Sequence, residues 1–135
     1  ILIKEYYALV KGNPPEEGIL EIPMEEMRDA RDGDKLKMKV GKSENAKTAK
    51  TFFQVVKRFE KFSLVSLVIE TGRTHQIRFH MGCPLLGDSF YGDGPELGIS
   101  RTALHAQQLT FTHPFCEKVM RIESEMPKDL SFLLR

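Results

Sequence analysis

The stretch FSLVSLVI, residues 62–69, constrains the fold of this chain more than any other. Successive side chains of an extended strand point to opposite faces. Phe62, Leu64 and Val68 therefore point one way, and Val65, Leu67 and Ile69 the other. A strand that is apolar on both faces has to be covered on both, so it belongs inside a sheet with structure packed above and below. Residues 51–58, TFFQVVKR, predict a neighbouring strand joined to it by a turn near Glu60 and Lys61.

The rest of the chain supplies strands to complete such a sheet. KEYYALVKG, residues 4–12, reads as a strand closed by Gly12-Asn13-Pro14-Pro15, a sequence that favours turning over pairing. GILEIPM, residues 18–24, reads as another, which Pro23 confines to an edge or an end because proline has no N–H to give the ladder. EEMRDARDGDK, residues 25–35, reads as a polar loop around Gly33, followed by the short alternating run KLKMKV; GKSENAKTAK is a second loop. TALHAQQLTFTHP and KVMRIESEMP predict two late strands. A short helix is expected over THQIRFHM, after the turn at Gly72, and a closing one over KDLSFLLR with Pro127 just before it. The expected fold class is α+β: a mostly antiparallel or mixed β-sheet with a few short helices, in a single unit spanning residues 1–135 with no repeat and no linker.

With 41% hydrophobic and 29% charged residues, the 135-residue chain has the balance of an ordinary globular protein and can bury a core without disulfide or metal staples. Cys83 and Cys116 accordingly read as reduced thiols of a cytoplasmic protein. No apolar run approaches the roughly 20 residues of a membrane span, and no basic leader with a cleavage site opens the chain, so neither a membrane nor export is expected. The chain starts without Met and directly in a strand, which reads as a fragment entered midway through a domain. Its net charge of +1 hides an asymmetry: residues 1–34 carry four Lys/Arg against nine Asp/Glu, and residues 35–61 carry nine against two. The basic stretch could neutralise phosphates, and it could equally be a solvated lysine-rich face. Charge alone does not choose between them.

The richest cluster of chemistry is ETGRTHQIRFHMGCPLLGDSFYG, residues 70–92, at the end of the central strand. At about 100° per residue, Ile77 and Met81 form the apolar stripe of the short helix with Arg78 beside it, while Arg73, Gln76 and His80 gather on another side. Arg73 and Arg78 fall about 140° apart on that wheel and do not serve one small site. Arg78, next to the stripe, is drawn inward and needs an anionic partner, because an unpaired buried charge is prohibitively costly. An ordinary structural ion pair, with Glu70 as the candidate, is the plain alternative. The spacing H-x4-H-x2-C of His75, His80 and Cys83 matches no usual zinc pattern, and no metal is expected. GDSFYGDG lacks the spacing of a phosphate loop. Asp88 and Asp93, each beside a glycine, fit Asx-turn and capping roles better than catalysis. No Ser or Cys sits in a nucleophile elbow.

ETGRTHQIRFH, CPLLGDSFYG and RTALHAQQLTFTHP resemble, in that order, the successive signatures of the RluA-type RNA pseudouridine synthases. KEYYALVKGNPPEEG and AKTFFQVV resemble that family too, so the matching blocks span nearly the whole chain. The resemblance implies the C-terminal portion of a pseudouridine synthase catalytic domain, with its N-terminal half missing. Such enzymes isomerise uridine to pseudouridine in rRNA or tRNA, by base flipping and with no cofactor, and the intact protein is expected to be monomeric. In the family the catalytic aspartate lies in an H-R-L-D-x-x-T-S-G block upstream of the K-x-Y-x-A-L-V block, and no residue here corresponds to it. Arg78 matches the arginine that pairs with that aspartate, and Tyr6 the active-site tyrosine expected to pack against the flipped uracil. Tyr7, its neighbour on a strand, faces the opposite way. Arg73, Thr74, His75, Gln76, His80 and Lys50 are the expected RNA contacts. Only Met81 separates His80 from Gly82, where the family usually has several more residues. A non-catalytic RNA-binding paralogue and a plain structural domain are the alternatives.

Overall fold

The computed structural model describes residues 2–29, 35–71 and 75–135. Its centre is a six-stranded sheet, built from β1 (Leu2–Lys11), β2 (Glu17–Leu20), β5 (Thr51–Arg58), β6 (Phe62–Ile69), β7 (Leu104–Thr112) and β8 (Val119–Glu123). The strands run in the order β2-β5-β6-β1-β7-β8. Every pairing is antiparallel. β6 lies between β5 and β1, as its two apolar faces require, and Leu67 sits opposite Phe53 on one side and Tyr6 on the other.

Each face of that strand has its own core. Val65, Leu67 and Ile69 join Ala8, Val10, Phe53, Ile77, Met81 and Leu85 on one face. Phe62 joins Leu9, Leu86, Ile99, Ala103 and Leu130 on the other. Burying each such aliphatic side chain is worth about 1.5–3 kcal/mol, which makes this pair of layers the main source of stability. The first layer is capped by α1 (Gln76–His80), anchored through Ile77 at 3% exposure and Met81 at 7%. The second receives α2 (Lys128–Ser131) through Leu130, with Pro127 at its N-cap and a 3-10 turn over Phe132–Leu134 behind it. Among the described residues no helix is long and apolar enough to cross a membrane.

Two local expectations are corrected. Residues 18–24 do not make one strand: β2 ends at Leu20 and a separate strand, β3 (Met24–Asp29), starts after Pro23. The expected loop over residues 25–35 is therefore largely strand, pairing with β4 (Lys35–Val40) as a separate two-stranded hairpin. The register sets Glu25 opposite Lys39, Met27 opposite Lys37 and Asp29 opposite Lys35. Glu25 and Lys39 close to 3.6 Å. Opposite charges on facing strands support pairing that neither sequence favours alone, so part of the charge asymmetry along the chain is this hairpin. Beneath it Met24, Met38 and Ala49 form a small core of their own.

Two more basic residues of that stretch, Lys57 and Arg58, are occupied by protein. Arg58 donates to Asn13 Oδ1 at 2.7 Å and to the Pro14 carbonyl at 2.8 Å. Lys57 lies over the Phe59 ring.

Candidate active site

α1 is a single turn and a half. It starts from His75, whose backbone is left-handed (φ 54°), and it ends where Gly82 takes a positive φ of 69°. A non-glycine residue in the left-handed region costs about 1–2 kcal/mol and is held there only by surrounding contacts. The short spacing between His80 and Gly82 thus yields a short helix whose residues alternate sharply between interior and cleft.

Gln76 and His80 face the interior, at 3% and 2% exposure. Gln76 Nε2 donates to the Lys50 carbonyl (2.8 Å) and to Thr51 Oγ1 (3.0 Å), and its Oε1 accepts from the Thr71 hydroxyl (2.6 Å). His80 Nε2 lies 2.8 Å from the Ile22 carbonyl and Nδ1 lies 2.9 Å from Thr51 Oγ1. A carbonyl only accepts, so Nε2 carries the proton and Nδ1 accepts from the threonine hydroxyl, the neutral tautomer. Burial lowers the His80 pKa, with the Ile22 bond opposing it only in part. Gln76 and His80, expected as RNA contacts, thus bolt α1 to β5 and to the segment ahead of β3. Lys50 lies apart as well, paired with Glu21 at 3.3 Å and set over the Phe52 ring. It lines a different hollow, with Pro23, Glu70 and Thr71.

His75 and Arg78 face a cleft of about 370 Å³, whose wall also includes Lys4, Tyr6, Leu104 and, from the buried side of the helix, Gln76. Tyr6 stands on the face of β1 that carries Ala8 and Val10, where it packs on the first core layer; Tyr7 is on the face of Leu9. The pairing of β1 with β7 slips between Glu5 and Tyr6, passing over Gln107. Such a bulge sharpens the twist of a strand and re-aims side chains beside it, here at the point where Tyr6 enters the cleft. A larger hollow of about 580 Å³ lies along Phe52, Gln54, Ser66 and Val68 on the other face of the sheet, with Glu17 the one titratable group among the described residues that line it.

Arg78 does find a carboxylate, and it is Asp88, not Glu70, which is exposed. Nε donates to Asp88 Oδ2 and Nη2 to Oδ1, both at 2.7 Å, a two-pronged pair. Asp88 is fully buried (0% exposed). Its Oδ1 also accepts the backbone N–H groups of Phe90 (2.9 Å) and Tyr91 (3.2 Å), the Asx-turn expected from the glycine next to it. Burial pushes the Asp88 pKa up, but the Arg78 bonds, the two backbone N–H bonds and the Arg78 charge outweigh it and hold the carboxyl below its ordinary range. The guanidinium stacks on both rings of this turn, its carbon 5.0 Å from the Phe90 centroid and 5.3 Å from that of Tyr91.

Tyr91 extends the arrangement to His75. The Met38 N–H donates to the Tyr91 oxygen (2.9 Å), and the Tyr91 hydroxyl lies 2.9 Å from His75 Nδ1. Burial first, then the Arg78 charge, lowers the His75 pKa against the opposing pull of Asp88. A neutral His75 accepting from Tyr91 at Nδ1 carries its proton on Nε2. Arg73 and Thr74, the other expected RNA contacts, lie outside the described residues. Sequence reasoning missed Asp88 as the partner of Arg78 and missed Tyr91. The glycine-marked GDSFYG turn was the only available signal, and it pointed to backbone shape.

Comparison with known proteins meets this geometry. The family model described as RNA pseudouridylate synthase matches residues 2–82. An uncharacterized RNA pseudouridine synthase from Chloroflexus aurantiacus is 39% identical over 98% of this chain and 41% of its own length. Ribosomal large subunit pseudouridine synthase D of Zymomonas mobilis is 34% identical over 98% of the chain and 44% of its own length. The solved structure of human RNA pseudouridylate synthase domain containing 4 superposes with a TM-score of 0.74 at 27% identity, covering 98% of this chain and 61% of that one. The chain thus spans less than half the length of these curated relatives, and over that span it belongs to the RNA pseudouridylate synthase family.

Proposed function

We propose that this chain supplies the substrate-facing half of an RNA pseudouridine synthase site, completed by an aspartate carried on a segment outside these 135 residues. The observation that carries the reading is the cleft itself: Tyr6, His75 and Arg78 converge on it from β1 and α1, inside a fold shared with the family. The reaction would break the N-glycosidic bond of a uridine, turn the base and rejoin it to the ribose through carbon, with no atom gained or lost. A stacked base cannot turn, so the nucleotide first leaves the stack, at a cost of a few kcal/mol. An unpaired loop of rRNA or tRNA is the substrate class that makes this least costly. The Tyr6 ring suits stacking on the extruded uracil. Arg78 suits an anion at the reacting centre: a guanidinium beside the incoming carboxylate keeps it ionised at neutral pH and ready as nucleophile.

The test is pseudouridine formation in a stem-loop RNA by a protein that joins this chain to the aspartate-bearing segment. Product is expected from the joined protein and none from the 135-residue chain. Replacing Arg78 by Ala in the joined protein should abolish product while leaving RNA affinity within a few-fold. Undiminished turnover by that variant would refute the role given to Arg78.

A further inference from the structure

We propose that Asp88 is a positioning residue for Arg78, holding one side of the guanidinium so that the other side is presented to a second carboxylate in the cleft. The inference rests on the synthase reading above and deepens it. Asp88 takes Nε and Nη2, and Nη1 has no hydrogen-bond partner among the described residues. A guanidinium is a planar fork with five N–H donors, able to serve carboxylates on two sides, which a lysine cannot do. Phe90 and Tyr91 clamp the same plane through their rings.

The turn that carries Asp88 is built to hold this position. Asp88 N donates to the Leu85 carbonyl (3.3 Å), and its own carbonyl accepts from Gly94 N (3.0 Å). Gly87 has φ +76°, and a Cβ there would lie 2.0 Å from the Arg101 carbonyl oxygen, so no other residue fits. A buried Arg–carboxylate pair is seldom retained for stability alone, since apolar residues of similar volume often serve as well. The pairing has a chemical consequence. A second carboxylate reaching Arg78 meets a cation whose charge is already shared with Asp88, so its own pKa falls less than beside an unshared guanidinium. Among the described residues the other titratable groups around the pair are His75 and Tyr91, on the helix start and the turn, and Lys4 and Tyr6 on β1.

The experiment compares Asp88→Asn and Asp88→Glu with the parent in the aspartate-completed protein, following pseudouridine formation across pH. Loss of Asp88 should reduce kcat by about 10²-fold, the cost of misplacing a reacting group by roughly an ångström, with KM for RNA moving little. The acid limb of the D88N profile should shift to lower pH, because the full Arg78 charge then acts on the remaining carboxylate; D88E should recover part of kcat. A folded D88N protein with parental kcat and an unmoved acid limb would overturn the proposal. A second measurement does not depend on any variant folding. In the parent protein, ¹⁵N NMR of Arg78 should show separate Nη1 and Nη2 resonances and a slowly exchanging Nε–H, whereas averaged, fast-exchanging signals would refute the clamp. A parent protein that makes no pseudouridine refutes the synthase reading, and the NMR result then decides the clamp alone.

Discussion

α1 presents two pairs of polar residues with opposite fates. Gln76 and His80 are one helical turn apart, buried, and spend their hydrogen bonds on Thr51, Thr71, Lys50 and Ile22. His75 and Arg78 sit between and before them, face the cleft, and are held by one loop through Asp88 and Tyr91. The residue types on the two sides are alike, so polarity alone does not mark a binding group. The difference lies in what the other elements bring: β5 and the approach to β3 supply carbonyls and a hydroxyl on one side, and the cleft leaves the other open. The buried pair fixes the frame, and the cleft-facing pair is the one to which the proposed function gives the chemistry.

Substitutions should separate the two sides, and the largest effect belongs to Arg78. In the completed protein Arg78→Ala should lower kcat by at least about 10²–10³-fold, the usual scale for removing a preorganised electrostatic group, with RNA retained in a binding titration. His80→Ala should do the converse: it takes the acceptor from the Thr51 hydroxyl proton and the donor from the Ile22 carbonyl in a buried site and opens a cavity, destabilising the fold by about 2–4 kcal/mol. Urea unfolding would measure that loss, and kcat per folded molecule should stay near the parental value. Substantial loss of kcat in folded H80A would break the comparison, because the frame would then be part of the chemistry.

Acid should act on the frame in the same sense. Burial lowers the His80 and His75 pKa values, so below the ordinary histidine pKa of about 6.5 the unfolded chain binds protons that the folded one refuses. Their contribution is complete above that pH and is lost as pH falls from there toward the folded values. Asp88, whose pKa is lowered, adds a further loss only when pH falls below the ordinary carboxylate range. Unfolding midpoints measured between neutral pH and pH 5 should fall in the parent and fall less in the His80→Ala variant. Tyr91→Phe should cost about 1 kcal/mol, the worth of its two exchanged hydrogen bonds, and should raise KM for RNA more than it changes stability if His75 touches the substrate. The smallest effect is expected at Lys50, whose exposed pair with Glu21 is worth about 0–1 kcal/mol. Lys50→Ala should leave kcat unchanged, and a large drop in RNA affinity would bring that residue back to the interface.

Much of the sheet was legible because burial writes itself locally: residues 62–69 are apolar on both faces, and the strand is central, buried at Val65, Leu67 and Ile69 and half-buried at Leu64 and Val68 on the other face. The helix over Gln76–His80 and its Ile77–Met81 stripe followed from spacing in the same way. β3 was not legible, since Met-Glu-Glu-Met-Arg-Asp has no strand propensity of its own and is supported by the register of lysines on β4. The partner of Arg78 escaped for a related reason. The need for an anion could be read from the wheel, but Glu70 and Asp88 differ only in how the GDSFYG turn folds back, a tertiary fact. That Gln76 and His80 turn inward was not legible either, because a polar side chain on a short helix gives no local sign of a carbonyl waiting inside.

Under the proposed function the cleft of Tyr6, His75 and Arg78 is one half of a site whose nucleophile lies outside these 135 residues. The most direct measurement is quantitative detection of pseudouridine in a stem-loop RNA after incubation with the 135-residue chain, and in parallel with the same chain joined to its aspartate-bearing segment. The account predicts product only from the joined protein, and none when Arg78 there is replaced by Ala. Turnover by the 135-residue chain alone would contradict it, because a nucleophile would then have to lie within these 135 residues.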